Sequence, residues 1–438
     1  MGFARARLPP LPHPPWHDGK PIYPLPLAGS LDKKRILLLI FDGLGDRPVK
    51  ELGNKTPLQA TNTPNLDWFA ANGACGLLDP IGPGICPGSD TSHLALFGYD
   101  PFAVYTGRGP FEAAGTGIDV RPGDVAFRCN FATVDSEGRV VDRRAGRLKD
   151  AGALARSLDG LTVEGVQVFF RAGTEHRAAL VLRGEGLSPQ VSDTDPHAEG
   201  GQVLRSRPLA AGADRTAGVL NRFTELAREI LSKQPLNQEH AAKGLPVANA
   251  VLARGAGVFP AIPTMKEKWG LHCAGIAGVG LIRGMCRSVG MDVLDVSGAT
   301  GGLDTDMVAK AAAAANALRE YDFVCVNVKA PDVCGHDGLA LEKVRVVERI
   351  DEMMGHLRAA LAPDTVVAVT ADHSTPVALR DHSGDPVPLA IFGEGLRVDA
   401  VTEYDEISVA SGSLGRLRGL DLLPVLLNLA DRARKFGA

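Results

Sequence analysis

Residues 35–41 (RILLLIF) form a continuous apolar run with the length of a buried β-strand, and the acidic loop 42–46 (DGLGD) follows directly. Two later apolar runs, residues 323–328 (FVCVNV) and 365–370 (TVVAVT), also lead into polar segments. In open α/β sheets, ligands bind outside the carboxyl ends of the parallel strands. The three runs therefore predict an α/β fold whose site lies at one edge of a mostly parallel sheet.

The polar residues after these runs are carboxylates and imidazoles, which together suit Zn²⁺ or Mn²⁺. Two such ions a few ångströms apart can hold the attacking and leaving oxygens of a phosphoryl displacement. Each strand end taken alone is explained as well by a solvated loop acid, but their number favours a metal site. The acids and histidines that follow the three runs are Asp42 and Asp46, then Asp332, His336 and Asp337, then Asp372, His373, Asp381 and His382.

A short polar run at residues 88–93 (GSDTSH) supplies the candidate nucleophile, Ser89. A Pro-Gly pair precedes it and an apolar stretch follows, which predicts a loop that turns into a helix with Ser89 at the N-terminus. A helix N-terminus favours anions, and a hydroxyl coordinated to a metal ion becomes a nucleophile. Without the acids and histidines elsewhere, Ser89 would be explained as a helix cap.

The composition excludes several classes of protein. The net charge of −4 argues against non-specific nucleic-acid binding, and no basic tract indicates a membrane surface. No apolar run reaches the length of a membrane span or a secretion signal. Seven cysteines without a Cys-x-x-Cys pair fit a reducing compartment, so we expect a cytoplasmic protein.

The pattern of the chain changes twice, which predicts two domains and an arm. Residues 1–30 are rich in proline and are expected to form an extended arm. Residues 124–258 have shorter, alternating strands and are expected to form an inserted α+β domain that binds substrate and acts as a lid. Residues 31–123 and 259–438 then form the larger, metal-binding α/β domain.

Basic and polar side chains gather in the predicted insert and just after it. Guanidinium groups bind phosphate and carboxylate with two hydrogen bonds, as a phosphorylated hydroxy acid requires. A solvated basic face is the alternative explanation. The candidate substrate-binding residues are Arg143, Arg144, Arg147, His176, Arg177 and Lys266.

In order along the chain, Asp42-Gly43, residues 88–91, Asp332 with His336, Asp372-His373 and His382 resemble the alkaline phosphatase superfamily. Within it, four further motifs resemble the archaeal-type cofactor-independent phosphoglycerate mutases, from about residue 36 to the C-terminus. These motifs are residues 107–113 (GRGPFEA), 142–147 (DRRAGR), 175–177 (EHR) and 381–388 (DHSGDPVP).

The resemblance implies an alkaline-phosphatase-like three-layer sandwich and interconversion of 3-phosphoglycerate and 2-phosphoglycerate, a step of glycolysis and gluconeogenesis, without 2,3-bisphosphoglycerate. It further implies a phosphoserine intermediate at two divalent metal ions, with manganese expected and magnesium, cobalt or zinc as alternatives. The only partner expected is the small phosphoglycerate substrate, and a homo-oligomer is left open. The implied ligand sets are Asp42, Ser89, Asp372 and His373 for one ion, and Asp332, His336 and His382 for the other.

Other functions remain open at this point. A metal-dependent phosphatase would use the same metal site without residues that orient glycerate, and a homoserine-kinase-like phosphotransferase would share the metal core. A sulfatase would need a Cys-x-Pro-x-Arg context, which residues 86–89 lack. A non-enzymatic metal-binding protein would be expected to have lost one or more of the ligands, and all seven are present.

Overall fold

The computed structural model describes residues 33–148 and 151–435, so the proline-rich arm predicted for residues 1–30 lies outside the described residues. The strands are β1 Arg35–Phe41, β2 Ala74–Asp79, β3 Val125–Val134, β4 Val140–Asp142, β5 Thr162–Val163, β6 Val166–Ala172, β7 Arg177–Arg183, β8 Ala250–Val258, β9 Cys273–Ile276, β10 Asp292–Val293, β11 Phe323–Val328, β12 Thr365–Thr370, β13 Val387–Phe392 and β14 Gly415–Arg418. The α-helices are α1 Pro57–Ala60, α2 Pro64–Ala71, α3 Ser89–Leu96, α4 Pro101–Val104, α5 Gly109–Gly115, α6 Gly152–Leu158, α7 Asp214–Ser232, α8 Pro235–Ala242, α9 Met265–Trp269, α10 Gly280–Ser288, α11 Met307–Ala317, α12 Ala330–Asp337, α13 Ala340–Ala360 and α14 Gly419–Leu429.

The larger of two sheets has eight strands in the order β10-β9-β11-β1-β12-β13-β2-β14. Strand β1 pairs in parallel with β11 on one side and with β12 on the other. Strand β13 runs antiparallel to both of its neighbours. The three apolar runs thus become adjacent central strands with the predicted bounds, and the prediction of an α/β fold with a mostly parallel sheet is confirmed.

Helices cover both faces of this sheet. Every residue of β11 and β12 is buried, as is all of β1 after Arg35. Helices α11, α12 and α13 pack together, and α3 packs with α10 and α14. Strands that are apolar at every position can be buried only between two such helical layers. The result is the three-layer arrangement expected from the sequence.

The smaller sheet is antiparallel and has its own core. Its strands follow the order β4-β3-β7-β6-β5, and β8 also pairs with β3. Strand β3 begins at Val125 and β8 ends at Val258, next to the ends of the predicted insert. Helices α6 and α7 pack on this sheet over a cluster that includes Phe170 and Phe223. Residues 124–258 as an independent domain remain a prediction, although the sheet lies within that range.

Helix α5 joins the two sheets, and glycines allow the contact. A Cβ atom added at Gly284 of α10 would lie 1.8 Å from the carbonyl oxygen of Phe111, and one at Gly115 would lie 2.0 Å from that of Gly280. On its other side, α5 packs on β3 and β7. Because no side chain separates α5 from α10, the backbones of the two helices are in direct contact.

Among the described residues, the structure has no helix that is both long and apolar enough to pass through a lipid bilayer.

We predict that Gly284→Ala destabilises the protein, because the added methyl group overlaps the backbone of α5. Overpacking of this kind typically costs about 1–3 kcal/mol. Gly280→Ala is the matched control on the same helix, because a Cβ there meets no atom within 4 Å. Urea unfolding should show a lower free energy of unfolding for Gly284→Ala than for wild type. For Gly280→Ala it should show little change or a small increase. Equal stabilities of the two variants would contradict the close contact.

Candidate functional site

The carboxyl ends of β1, β11 and β12 bring three acids together. Phe41 pairs with Val328 and Ile40 pairs with Thr370, so the residues that follow these strands emerge side by side. Asp42, Asp332 and Asp372 are 0%, 2% and 0% exposed. The loop after Asp42 turns through Gly43, whose φ is +66° and where a Cβ would lie 2.6 Å from Cβ of Asp332. Only glycine fits this position without strain.

Ser89 faces these acids from the N-terminus of α3, as the sequence predicts. Gly88 is the cap residue and Ser89 is the first residue of the helix. The Ser89 Oγ atom lies 3.1 Å from Nε2 of His373 and 3.4 Å from Nζ of Lys329. Backbone N–H groups and the ammonium of Lys329 therefore both favour negative charge on this oxygen.

Three histidines present the same nitrogen to the cluster. The Nδ1 atoms of His336 and His382 lie 3.0 Å and 2.8 Å from the carbonyl oxygens of Arg380 and Pro87, and a carbonyl can only accept. The Nδ1 of His373 donates to the hydroxyl of Thr375, which itself donates to Asp332. With Nδ1 protonated, each neutral ring has a lone pair on Nε2. This arrangement, in which a hydrogen bond at one nitrogen orients the other, is typical of metal-ligating histidines.

The acids and the histidine nitrogens form two groups that fit divalent cations. Ligand atoms of Asp42, Asp372 and His373 lie within 4.8 Å of one another, and so do those of Asp332, His373 and His382. The Nε2 atom of His336 lies 3.2 Å from that of His382 and 3.4 Å from Asp332 Oδ1. Divalent cations would compensate the buried charge and fill the space between these atoms.

The electrostatics of the acids support this fit. Asp372 Oδ2 is buried and has no hydrogen-bond partner among the described residues. Burial and the neighbouring Asp372 raise the pKa of Asp42, although the Lys329 ammonium opposes them. Burial lowers the pKa of His373 to about 3, so its ring is neutral at pH 7. One ammonium facing three buried carboxylates leaves an excess of negative charge, which a bound cation would neutralise.

A cleft of about 580 Å³ opens in front of Ser89 and reaches the smaller sheet. Its walls include Ser89, Lys329 and His382 on one side and Arg128 and Arg177 on the other. Arg128 and Arg177 also line a second cavity of about 220 Å³. The two spaces are therefore adjacent and share these two arginines, and Ser89 lines the same cleft as Arg128 and Arg177.

The second cavity is lined largely by guanidinium groups, and it is called the arginine cavity below. Asp195 is buried and holds two of them in place: its Oδ2 lies 2.7 Å from Arg143 and 3.1 Å from Arg254. The remaining charges make the cavity strongly electropositive, which suits a phosphate or carboxylate. The lining residues are Arg128, Asn130, Arg143, Arg144, Arg147, Glu175, His176, Arg177 and Arg254.

The structure brings together all of the predicted site residues except Lys266. The seven candidate metal ligands meet at the edge of the larger sheet, and five of the six candidate substrate-binding residues line the arginine cavity. Lys266 is exposed on α9 and lines neither the cleft nor the cavity. Its predicted contact with a phosphoryl group receives no support from this position, because α9 instead packs its Met265 into the core of the larger sheet.

Relatives of known family cover nearly the whole chain. A protein-family model described as "2,3-bisphosphoglycerate-independent phosphoglycerate mutase" matches residues 70–237. A protein of that name from Methanocaldococcus jannaschii is 49% identical over 413 residues, which are 93% of this chain and 100% of that protein. One from Archaeoglobus fulgidus is 50% identical over 92% of this chain and 100% of its own length. The chain belongs to the 2,3-bisphosphoglycerate-independent phosphoglycerate mutase family.

Solved structures agree with this membership of the phosphoglycerate mutase family. The cofactor-independent phosphoglycerate mutase of Thermoplasma acidophilum is 42% identical and superposes with a TM-score of 0.70, covering 91% of this chain and 100% of its own. A Pyrococcus horikoshii protein is 38% identical with a TM-score of 0.80, over 93% of this chain and 100% of its own. The fold described above is thus shared along almost the full length.

Several residues of the site were not identified from the sequence. The Nζ atom of Lys329 lies 2.7 Å from both Asp42 Oδ1 and Asp332 Oδ2. In the sequence, however, Lys329 looks like an ordinary loop lysine after a strand. Its position directly after an apolar run, where the acids also lie, was a usable signal. Thr375 and Arg254 gave no such signal, because their roles depend on contacts with residues 43 and 59 positions away.

We predict that His176 makes the protein more stable as pH rises from 4 to 6.5. Burial, followed by the positive charge of Arg177, lowers its pKa from 6.5 to about 4. In this range the unfolded chain binds a proton at His176 and the folded chain does not, so unfolding becomes less favourable with rising pH. Urea unfolding at pH 4.5 and 7 should show this gain, and His176→Gln should reduce it by about 1–2 kcal/mol.

His356→Gln is the control for this measurement, because His356 is exposed on α13. It should leave the pH dependence of stability unchanged. If wild type and His176→Gln gain the same free energy between the two pH values, His176 is not held neutral by its surroundings.

Proposed function

We propose that this chain interconverts 3-phosphoglycerate and 2-phosphoglycerate, independently of 2,3-bisphosphoglycerate, through a phosphoserine at Ser89. The observation that carries the proposal is the cleft lined by Ser89 together with Arg128 and Arg177, two residues that also line the adjacent arginine cavity. The hydroxyl at one end is placed for attack on phosphorus, and the guanidinium groups at the other end suit the remaining anionic group of the substrate. The names of the relatives support the same activity.

The reaction transfers one phosphoryl group twice. In the first transfer, Ser89 Oγ loses its proton and bonds to phosphorus while the phosphorus–oxygen bond to C3 of glycerate breaks. The departing oxygen takes up a proton, which gives glycerate and phosphoserine. In the second transfer the C2 hydroxyl of glycerate loses its proton and bonds to the same phosphorus while the bond between phosphorus and Ser89 Oγ breaks. The Ser89 oxygen takes up a proton, which restores its hydroxyl. The two transfers are chemically equivalent, so no further phosphate donor is consumed.

Three groups of this chain favour the reactive form of Ser89. The ammonium of Lys329, 3.4 Å from Oγ, stabilises the negative charge that develops there and on the phosphate. The N-terminus of α3 acts in the same direction. Asp42, Asp372 and His373 would hold one divalent cation, and Asp332, His336 and His382 would hold another. Bound cations would lower the pKa of the hydroxyl and screen the phosphate charge. Manganese is the metal we propose, with magnesium, cobalt and zinc as alternatives.

The arginine cavity is proposed to hold glycerate between the two transfers. Free glycerate has a carboxylate and must expose a different hydroxyl to phosphoserine, so it has to turn without leaving. Arg143 and Arg254 are held by buried Asp195 and are already ordered before substrate binds. Residues 124–258, as a unit over the cleft, would also exclude water. Water exclusion matters because hydrolysis of phosphoserine would turn the protein into a phosphatase.

We also propose that this reaction takes place in the cytoplasm.

We predict that Ser89→Ala abolishes mutase activity. Purified protein with Mn²⁺ should convert 3-phosphoglycerate to 2-phosphoglycerate without added 2,3-bisphosphoglycerate. The variant should lose at least about a thousandfold in kcat, because it lacks the hydroxyl that is proposed to accept the phosphoryl group. Ser288→Ala is the matched control: both serines are 7% exposed and helical, but Ser288 bonds only within α10. Release of free phosphate by the wild type in place of 2-phosphoglycerate would favour a phosphatase.

We predict that Arg177→Met raises the KM for 3-phosphoglycerate by about tenfold to a hundredfold, because a charge-assisted hydrogen bond contributes about 1.5–3 kcal/mol. Arg177 lines both the cleft and the arginine cavity. Arg171→Met is the control, since Arg171 pairs with Asp159 and lines neither space. Steady-state kinetics on both variants checks this. An equal KM for the two variants would contradict a role of the arginine cavity in substrate binding.

A further inference from the structure

Two buried polar residues behind the candidate metal groups have no role in the function proposed above. His93 lies on α3, one turn after Ser89, and Asn327 is the second-last residue of β11. They are 0% and 1% exposed. Buried polar side chains cost free energy unless they are hydrogen-bonded, so their contacts have to be accounted for.

His93 is tied to the backbone of the nucleophile. Its Nδ1 atom lies 2.7 Å from the carbonyl oxygen of Ser89. A carbonyl oxygen can only accept, so Nδ1 carries the proton and the neutral ring has a lone pair on Nε2. The Nε2 atom lies 3.4 Å from Nδ2 of the Asn327 side chain. His93 therefore donates to Ser89 and accepts from Asn327.

Asn327 continues this connection to the first candidate ligand. The same Nδ2 atom lies 3.1 Å from Oδ2 of Asp42. An amide nitrogen has two hydrogens, and here one is directed to His93 and the other to Asp42. The opposite amide orientation would place the Asn327 oxygen against a carboxylate and a lone pair. The contacts thus select one orientation, although they leave Asn327 Oδ1 buried without a partner among the described residues.

A buried lysine on a neighbouring helix holds the backbone of Asn327. Buried Lys310, on α11, donates to the backbone oxygen of Asn327 at 3.0 Å. The two oxygens of Asp42 then have different surroundings. Oδ2 accepts from Asn327, whereas Oδ1 lies 2.7 Å from Lys329 Nζ and 3.6 Å from His373 Nε2, in the candidate metal group. Asn327 and Lys329 therefore hold opposite oxygens of the Asp42 carboxylate, and Asn327 holds the oxygen that is turned away from Lys329.

We propose that His93 and Asn327 are positioning residues that hold Asp42 and the backbone of Ser89 in a fixed relation. This inference rests on the proposed function and deepens it, because it concerns the same metal group. Neither residue touches the cleft. Their effect passes through the carboxylate of Asp42, whose orientation decides how well a cation is held, and through the first turn of α3, which carries the nucleophile.

The test is the affinity of the full-length protein for Mn²⁺ alone, measured by titration calorimetry, together with kcat and KM at saturating Mn²⁺. Asn327→Leu keeps the approximate shape of the side chain and removes both hydrogen bonds. We expect Mn²⁺ to bind about tenfold to a hundredfold more weakly and kcat to fall at least tenfold, with KM within threefold of wild type. Mutation of residues that orient metal ligands typically has effects of this size.

Asn237→Leu is the matched control. Asn237 is also buried, and its side chain makes three hydrogen bonds to backbone atoms of the smaller sheet's helices and loops. Its loss should lower the melting temperature and leave the affinity for Mn²⁺ within twofold of wild type. The comparison separates a positioning role from a loss of buried hydrogen bonds in general.

His93 variants provide the second measurement if Asn327→Leu does not fold. His93→Asn keeps a donor near the position of Nδ1 and loses the acceptor, so it should weaken Mn²⁺ binding. His93→Gln, which places its side-chain oxygen near the position of Nε2, should restore part of the affinity. An affinity for Mn²⁺ within twofold of wild type in Asn327→Leu or His93→Asn overturns the proposal. Because Mn²⁺ binding is measured without substrate, this result is distinct from an absence of mutase activity in the wild type, which would overturn only the proposed function.

Discussion

Three buried carboxylates at the ends of adjacent parallel strands are the constraint on which this structure depends. Asp42, Asp332 and Asp372 lie too close together to be stable as anions without compensating positive charge. The chain supplies one ammonium, from Lys329, and directs the lone pairs of three histidines at the same space. A bound divalent cation would supply the missing positive charge, and the surrounding hydrogen bonds hold the candidate ligand atoms in place.

Several residues around the candidate ligands each contact two parts of the site. Thr375 accepts from His373 and donates to Asp332, so one hydroxyl sets a ring tautomer and a carboxylate at once. Gly43 allows the loop after β1 to pass within contact distance of Asp332. Asn327 joins Asp42 to His93 and so to the helix of the nucleophile. Each element that carries a ligand is thereby connected to at least one other by a buried hydrogen bond or a close backbone contact.

In the proposed function, substrate recognition and the nucleophile lie on different sheets. The arginines of the smaller sheet face Ser89 across the cleft, and α5 packs against both sheets. Glycines at the contact of α5 with α10 bring the backbones of these two helices into direct contact. Phosphoryl transfer by the proposed route requires the glycerate fragment to be retained, and a cleft with charged groups on both walls meets this requirement.

The sequence by itself determined the central strands and the position of Ser89 at a helix start, because apolar runs and capping residues act locally. The candidate ligands followed from the order of its motifs. It also placed five basic residues of the cavity on one segment. The exposed position of Lys266 on α9 does not support its predicted contact with a phosphoryl group. The sequence assigned no role to Lys329, His93, Asn327 or Asp195. Their roles depend on which atoms meet across long separations in the chain, and only the tertiary structure decided that. A single buried amide or carboxylate has no local pattern, since its partners come from other strands and helices.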